Sequence, residues 1–143
     1  MMNIGFILNY CSKLLRNRLN RELEKEDITL SQFATIKDIE MNSFKYGQEV
    51  GVTAVEISER LDMDKPTISG IINRLVDKDY VKKLSNPNDK RSFILKLTDK
   101  SKAKLPILEK INDSVVNDAI EGLTKDEIDM FKKITKKIIE NMR

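Results

Sequence analysis

The sequence predicts a mainly α-helical protein with one small antiparallel β-hairpin. Hydrophobic residues make up 40% of the 143 positions and charged residues 34%, a balance typical of a soluble, helix-rich chain and not of a disordered one. With five Gly and three Pro there are few helix breakers, so we expect long helices. Apolar residues recur mostly at the helical period, whereas residues 80–97 show strand-like alternation around a polar turn.

The first half of the chain begins with two helices. Apolar residues from Ile4 to Leu19 keep to one face of a long first helix. Thr29 is expected to open a second helix, because Gln32 stands at the spacing at which the two side chains cap each other's backbone. The segment NSFKYGQEVGV, residues 42–52, breaks the periodic pattern and is predicted to be a loop.

A short helix, a turn and another helix follow. Thr53 and Glu56 have the same capping spacing and open the third helix. Asp64 can cap the fourth helix, predicted over 65–78, and Pro66 is tolerated in its first turn, where backbone N–H groups lack partners. The apolar face of this fourth helix holds Ile68, Ile71, Ile72 and Leu75.

Two strands, YVKKL and SFILKL, then enclose the polar turn, and two further helices complete the chain. Thr98 caps the fifth helix, which runs to about Glu121, and Thr124 with Glu127 opens the sixth. A helix, a turn, a second helix and a hairpin in this order predict a winged helix-turn-helix core. Helices 1, 5 and 6 have apolar stripes too long for that core to cover, which marks an interface and favours a symmetric dimer.

The exposed face of the fourth helix is suited to DNA. In a helix-turn-helix the second helix enters the major groove, so its outer face needs short polar groups that reach base edges. An ordinary solvated surface, the alternative, usually carries Glu and Lys four residues apart. Lys65 stands at the helix start, where it suits a phosphate. The other predicted contacts on this face are Pro66, Thr67, Ser69, Gly70, Asn73 and Arg74.

Basic residues cluster on and after the hairpin. From Lys82 to Lys104 there are eight Lys or Arg residues against two Asp residues, although the whole chain has a net charge of only +3. This local excess predicts an electrostatic footprint for nucleic acid, and a solvated lysine-rich face is the alternative.

The turn of the hairpin, residues 85–92, is predicted to act as a wing. Arg91 is expected to enter the minor groove, where the negative potential favours Arg, with Lys90 beside it. Asp89 cannot bind DNA favourably, so we interpret it as a carboxylate that hydrogen-bonds Arg91 or the turn backbone and orients the guanidinium. A turn Asp beside a solvated Arg is the alternative.

These residues resemble the MarR family of bacterial and archaeal transcription regulators. The resemblance covers nearly the whole chain and rests on ITLSQFATI, on TAVEISERLDMDKPTISGIINRLVDKDYV and above all on DKRSFILKLTDKS. In the last of these, Asp89 and Arg91 precede a strand that ends in Leu97-Thr98, as in the family's wing. The resemblance implies a homodimer that is joined through its first and last helices and binds a pseudo-palindromic operator. Many members release DNA when a small molecule or an oxidant arrives.

Three positions depart from the family pattern. Gly70 stands where members often have Arg, so one expected base or phosphate contact is missing and the operator sequence does not carry over. Asp79 replaces a Gly after the recognition helix, and Asp tolerates the left-handed backbone better than most residues. Ser101 replaces another frequent Gly in the first turn of the fifth helix, with little consequence expected.

The sequence thus predicts a sequence-specific reader of double-stranded DNA, which we expect to be a cytoplasmic repressor. One domain, 1–143, would comprise a DNA-binding lobe at about 29–98 and dimerisation helices at about 1–24 and 99–143. No apolar run is long enough for a membrane span, and no signal-peptide pattern begins the chain. With a single Cys no intrachain disulfide forms, as suits a reducing compartment.

An effector site is implied only by the resemblance. Residues that could line it are Phe6, Tyr10, Phe33 and Phe44, with a role in the plain core as the alternative for each. One branch of the family senses hydroperoxides through a first-helix Cys, but that Cys would fall near Gly5. Cys11 is therefore expected to be a small buried hydrophobe.

Two other classes of function compete with DNA binding. An enzyme is disfavoured because the chain has no His, no base beside its Cys and no Gly-rich phosphate loop, and we expect no metal and no cofactor. A winged-helix module that binds protein without specific DNA readout is the remaining alternative. Such modules generally lose the basic wing and the short polar recognition face, and both are present here.

Overall fold

Six α-helices and two short antiparallel hairpins make up residues 3–143, the part of the chain that the computed structural model describes. The predicted fold class, mainly α with a small hairpin wing, is confirmed. The elements in chain order are α1 (Ile4–Glu24), α2 (Leu30–Asn42), β1 (Phe44–Lys45), β2 (Gln48–Glu49), α3 (Ala54–Arg60), α4 (Lys65–Asp77), β3 (Val81–Ser85), β4 (Phe93–Leu97), α5 (Asp99–Ala119) and α6 (Lys125–Met142).

Side-chain caps fix where the helices begin. Each helix in residues 3–143 is preceded by a residue whose side chain accepts a hydrogen bond from a first-turn N–H group, which otherwise has no partner in the helix. Reciprocal capping boxes form at the three helix starts where the sequence predicts them, those of α2, α3 and α6. The capping residues are Asn3, Thr29, Thr53, Asp64, Thr98 and Thr124.

The segment predicted to be a loop, residues 42–52, instead contains the first hairpin. Phe44 pairs with Glu49, and Lys45 pairs with Gln48. The two residues between the strands, Tyr46 and Gly47, both have positive φ, at 52° and 76°. That is the backbone of a tight two-residue turn that matches the twist of the strands it joins. The hairpin is too short for its alternation to stand out in the sequence.

An isolated β-bridge links the second hairpin to the segment that precedes α3. Val52 and Leu95 form an antiparallel bridge, with N···O distances of 3.1 and 2.7 Å. Gly51, just before the bridge, has φ +74°, and a Cβ atom there would lie 2.5 Å from Cγ2 of Ile94. The bridge therefore needs glycine at position 51, both for its conformation and for the close approach to β4.

The hydrophobic core lies between α2, the α3–α4 pair and the second hairpin. Ile36, Ile57 and Leu75, one from each of these helices, are completely buried. Burial of each such side chain stabilises the fold by about 1.5–3 kcal/mol relative to exposure. Strand β4 contributes Leu95 and Leu97 to the same cluster.

One ion pair fixes α3 against α2. Asp38 is buried and accepts two hydrogen bonds from Arg60, each 2.8 Å long. The paired carboxylate raises the pKa of the Arg60 guanidinium further above its usual range. A bidentate pair of this kind specifies an orientation as well as a contact, so the angle of the helix-turn-helix is held from its first helix.

Asp79 and Ser101, two positions that depart from the family pattern, have different structural roles. Asp79 does adopt the left-handed backbone, with φ 63°, and the turn closes through the Tyr80 N–H, which donates to the Leu75 carbonyl at 2.8 Å. The expectation that Ser101 has little consequence is wrong. Its hydroxyl is buried and donates to the carbonyl of Tyr80, which ties α5 to the start of the wing.

The terminal helices leave a large apolar surface uncovered. Only Leu19 and Leu23 of α1 are buried, and among the described residues α6 has no buried side chain. Cys11, expected to be buried, is exposed because the part of α1 that carries it lies outside the packed region. No helix in residues 3–143 is both long and apolar enough to span a membrane. The exposed apolar residues include Ile4, Phe6, Ile7, Leu8, Leu14, Ile107, Phe131, Ile134, Ile139 and Met142.

Gly47 and Gly51 both have positive φ, but only Gly51 has other atoms close to the position of a Cβ. Substituting each by Ala therefore distinguishes the cost of backbone strain from that of a steric clash. Gly51→Ala should place its Cβ atom 2.7 Å from the Leu95 carbonyl oxygen, whereas at Gly47 no atom lies within 4 Å. Both substitutions carry the cost of positive φ, about 1–2 kcal/mol. Gly51→Ala should lower the free energy of unfolding, measured by urea denaturation, by about 1–3 kcal/mol more than Gly47→Ala does. Equal losses at the two positions would show that the bridge to β4 is not closely packed.

Candidate nucleic-acid interface

The fourth helix has one buried face and one exposed face, as the sequence predicts. Ile68, Ile72 and Leu75 are buried. Asp64 caps the helix by accepting a 2.8 Å hydrogen bond from the Thr67 N–H, and this bond lowers the pKa of the Asp64 carboxyl. The predicted contact residues on α4 are all exposed: Lys65, Pro66, Thr67, Ser69, Gly70, Asn73 and Arg74.

Gly70 lies in open space on this face. A Cβ atom built there would meet nothing within 4 Å, so no packing requirement explains the glycine. Its absent side chain leaves the helix backbone uncovered between Ser69 and Asn73, which permits close approach to another molecule.

Asn73 accepts a hydrogen bond from a residue of strand β3. The Nζ of Lys83, on β3, donates to Oδ1 of Asn73 at 2.9 Å, and lies 5.3 Å from the centroid of the Phe93 ring. Lys83 was not among the predicted site residues. The alternation of β3 could have indicated it, because Lys83 shares a strand face with the buried Val81 and so points toward α4.

The tip of the wing is organised by short polar contacts. Oδ1 of Asp89 accepts from the backbone N–H of Arg91 at 2.9 Å and from its Nε at 3.3 Å, so the predicted Asp89–Arg91 contact is confirmed. Nδ2 of Asn86 donates to the Ser92 hydroxyl at 2.9 Å across the turn. The Arg91 side chain remains 92% exposed, and its terminal nitrogens are therefore available to another molecule.

A cleft of about 350 Å³ separates the recognition helix from the wing. Its floor is apolar, formed by Ile68, Ile72 and Leu95. The predicted contact residues that it brings together are Lys65, Ser69, Asn73 and Arg91. Major-groove and minor-groove candidates thus lie on one side of the molecule, on either side of a single cleft.

Some lysines of the predicted basic cluster are paired within the fold. Lys104 pairs with Glu26, which raises the pKa of the Lys104 ammonium, and Lys102 lies 3.6 Å from a carboxylate oxygen of Glu49. Lys100 donates to the backbone carbonyl of Lys78 at 2.7 Å. Lys102 and Lys104 of α5 thus lie beside carboxylates of other elements, whereas Lys90 and Arg91, at the turn between β3 and β4, are exposed.

The four aromatic residues considered for an effector site do not meet in one pocket. Phe33 is buried in the core. Phe6 and Tyr10 stack on each other on exposed α1, with ring centroids 5.9 Å apart. Phe44 lies elsewhere, on β1, beside a cavity that also includes Lys102. No group of three or more potential metal ligands occurs in the part of the chain that the structure describes.

Comparison with known proteins identifies relatives over almost the full chain. A family model described as MarR family matches residues 46–92, the span from the first hairpin to the wing. Multiple antibiotic resistance protein MarR of Escherichia coli is 30% identical over 140 residues, which is 95% of this chain and 90% of the relative. HTH-type transcriptional regulator SarZ of Staphylococcus haemolyticus is 26% identical over 95% of this chain and 86% of its own.

Solved structures agree with the sequence comparison. A cysteine-to-serine mutant of E. coli MarR, crystallised with operator DNA, superposes with a TM-score of 0.84 at 27% identity, covering 94% of this chain and 92% of that one. The S. aureus MepR–DNA complex gives a TM-score of 0.88 over 99% of both chains, and at 20% identity it supports the fold alone. With a 30% identical relative matched over most of its length, the chain belongs to the MarR family of winged helix-turn-helix transcriptional regulators, which are DNA-binding proteins and not enzymes.

Proposed function

We propose that this protein is a homodimeric repressor that reads a pseudo-palindromic operator in double-stranded DNA. One observation carries the proposal: the exposed polar face of α4 and the exposed Arg91 of the wing lie on either side of one cleft. E. coli MarR, whose backbone is similar, was crystallised with operator DNA.

The recognition helix, residues 65–78, would lie in the major groove. Thr67, Ser69, Asn73 and Arg74 are the residues proposed to meet base edges, since their polar groups project from the exposed face. Lys65 and the N-terminal end of α4 would face a phosphate, where the helix dipole adds to the ammonium charge. Pro66 and Gly70 would allow the helix to approach closely.

The wing, residues 85–92, would reach the adjacent minor groove. Arg91 is proposed to insert there, and Lys90 to contact the neighbouring backbone. Asp89 would not touch DNA. Its hydrogen bonds to the Arg91 backbone and Nε fix the direction of the guanidinium, which lowers the entropy lost on binding.

Dimerisation would join the helices at about 1–24 and 99–143, leaving the lobe at about 29–98 free to contact DNA. The uncovered apolar residues of α1, α5 and α6 support this division, because a monomer seldom exposes so extensive an apolar surface to water. A two-fold axis would place two recognition helices about 34 Å apart, one turn of DNA.

A small-molecule effector would act on that spacing. Many family members release DNA when a small molecule or an oxidant arrives. An effector here would have to bind a dimer whose recognition helices are wrongly spaced better than it binds the DNA-competent dimer. To move the ratio of the non-binding to the DNA-competent dimer from 1:99 to 99:1, the effector needs about 5.5 kcal/mol of differential affinity for the two states.

Selection of duplexes from a random-sequence library tests the proposed function. The purified full-length protein, at near-physiological salt, should enrich a two-fold symmetric site whose half-sites are one turn apart. Enrichment of no sequence, with a dimer confirmed in solution, would contradict the proposal and favour a winged-helix module that binds another protein.

Removal of Arg91 should weaken DNA binding without affecting the fold. Because the side chain is 92% exposed, Arg91→Ala should leave the melting temperature within about 1 °C of that of the parent. Affinity for the selected duplex should fall about 5–50-fold, and the slope of log K against log salt should decrease by about 1. Lys45→Ala, which removes one charge from the first hairpin, is the matched control and should change neither value. An unchanged affinity in Arg91→Ala would exclude the minor-groove role.

For Asp89→Ala, the loss of a negative charge and the loss of the orienting contact predict opposite changes in DNA affinity. Asp89→Ala removes a negative charge from the DNA-binding side, so simple electrostatics predicts tighter binding. If the carboxylate orients Arg91, the substitution should instead weaken binding by about 3–10-fold, because the guanidinium loses its restraint and the turn loses an acceptor. Fluorescence anisotropy with the selected duplex gives the sign directly, and tighter binding would contradict the orienting role.

A further inference from the structure

The contact between Lys83 and Asn73 fixes which end of the Asn73 amide faces the wing. The Nζ of Lys83 lies 2.9 Å from Oδ1 of Asn73. An ammonium group has three donors and no acceptor, so the amide atom that faces it must be the oxygen. The amide nitrogen of Asn73, with its two hydrogens, is thereby turned away from Lys83.

Lys83 is itself restrained in this position. In the second hairpin Lys83 pairs with Leu95 and Ser85 pairs with Phe93, so Lys83 and Phe93 are diagonal neighbours on the face toward α4. The ammonium lies 5.3 Å from the Phe93 ring centroid, within the range of a cation–π interaction. The lysine therefore contacts both α4, through Asn73, and strand β4, through Phe93.

This arrangement presents hydrogen-bond donors to the outside. The free groups are the two Nδ2 hydrogens of Asn73 and the remaining two hydrogens of the Lys83 ammonium, while the Asn73 oxygen already accepts a charged donor. In the major groove guanine offers two acceptors, N7 and O6, whereas adenine offers one acceptor and an amino donor. An unrestrained Asn prefers adenine, because it can use its oxygen and its nitrogen together.

We propose that Lys83 is a positioning residue that converts Asn73 from an adenine reader to a guanine reader at one position of each half-site. The inference rests on the proposed DNA-binding function and adds the base preference that α4 alone does not determine. Gly70 supports it, since the open space next to Asn73 leaves the amide accessible to a base edge.

Three variants of the full-length protein test the inference by library selection. Lys83→Met keeps the apolar stem over Phe93 and removes the donor, so guanine enrichment relative to adenine should fall at least about fivefold at one position per half-site. Lys82→Met removes the same charge from the opposite face of β3 and should keep the guanine preference. Lys83→Arg restores a donor and should restore the preference.

The outcomes separate failure of the inference from failure of the function. If the parent protein enriches no sequence, the proposed function is overturned and the inference falls with it. If the parent enriches a site but Lys83→Met selects the same bases as Lys82→Met, the inference alone is overturned. Loss of all binding in Lys83→Met, with binding kept in Lys82→Met, would make Lys83 a direct DNA contact and would likewise overturn the positioning role.

A measurement without DNA tests the restraint itself. In the free protein, ¹⁵N relaxation of the Asn73 side-chain amide should report a lower order parameter in Lys83→Met than in the parent or in Lys82→Met. A merely structural role of Lys83 would change the stability of the wing and leave this amide equally mobile. Equal mobility in the parent and in Lys83→Met would overturn the proposal.

Discussion

The antiparallel bridge between Val52 and Leu95 is the constraint on which the DNA-binding side depends. Its two hydrogen bonds join the residue before the α3 cap to the middle of β4, and both residues are 1% exposed. Because α3 packs on α4 and β4 pairs with β3, the bridge makes the helix-turn-helix and the wing one rigid unit. Together with the turn from α4 into β3, which the Tyr80 N–H closes on the Leu75 carbonyl, it sets where the second hairpin lies relative to α4.

The charged residues of the lobe divide into two kinds by their partners. Inside the lobe Asp38 pairs with Arg60, and outside it Glu26 pairs with Lys104; both pairs join two different elements. At the turn of the wing, by contrast, Arg91 stays 92% exposed although its Nε lies 3.3 Å from Asp89. A site for a polyanion needs the second kind, since a cation already neutralised and buried releases no counterion from DNA.

Much of the fold could be predicted because its determinants are local. Capping residues stand three positions from their partners, so the starts of α2, α3 and α6 were predictable from Thr29, Thr53 and Thr124. The Asp89–Arg91 contact spans two positions and was predictable for the same reason. The first hairpin was missed because each of its strands has only two residues, which is too short for an alternating pattern.

The errors concern contacts between elements distant in the sequence. Lys83 meets Asn73 ten positions away, which the alternation of β3 could have indicated. Ser101 meets the Tyr80 carbonyl from the other end of the second hairpin, which no local spacing indicates. The exposure of Cys11 was mispredicted because an apolar stripe looks the same in sequence whether it faces the core or a partner subunit. The α5 lysines added to the apparent basic footprint because their acidic partners lie far from them in the sequence.

Footprinting on the selected duplex tests the central claim, that one rigid unit of recognition helix and wing reads each half-site of a symmetric operator. Dimethyl sulfate reports major-groove guanine N7, and hydroxyl radicals report the minor groove. We expect two N7 protections about one turn, or 34 Å, apart, with minor-groove protection beside each. Protection of a single half-site, or of the major groove without the minor groove, would contradict it.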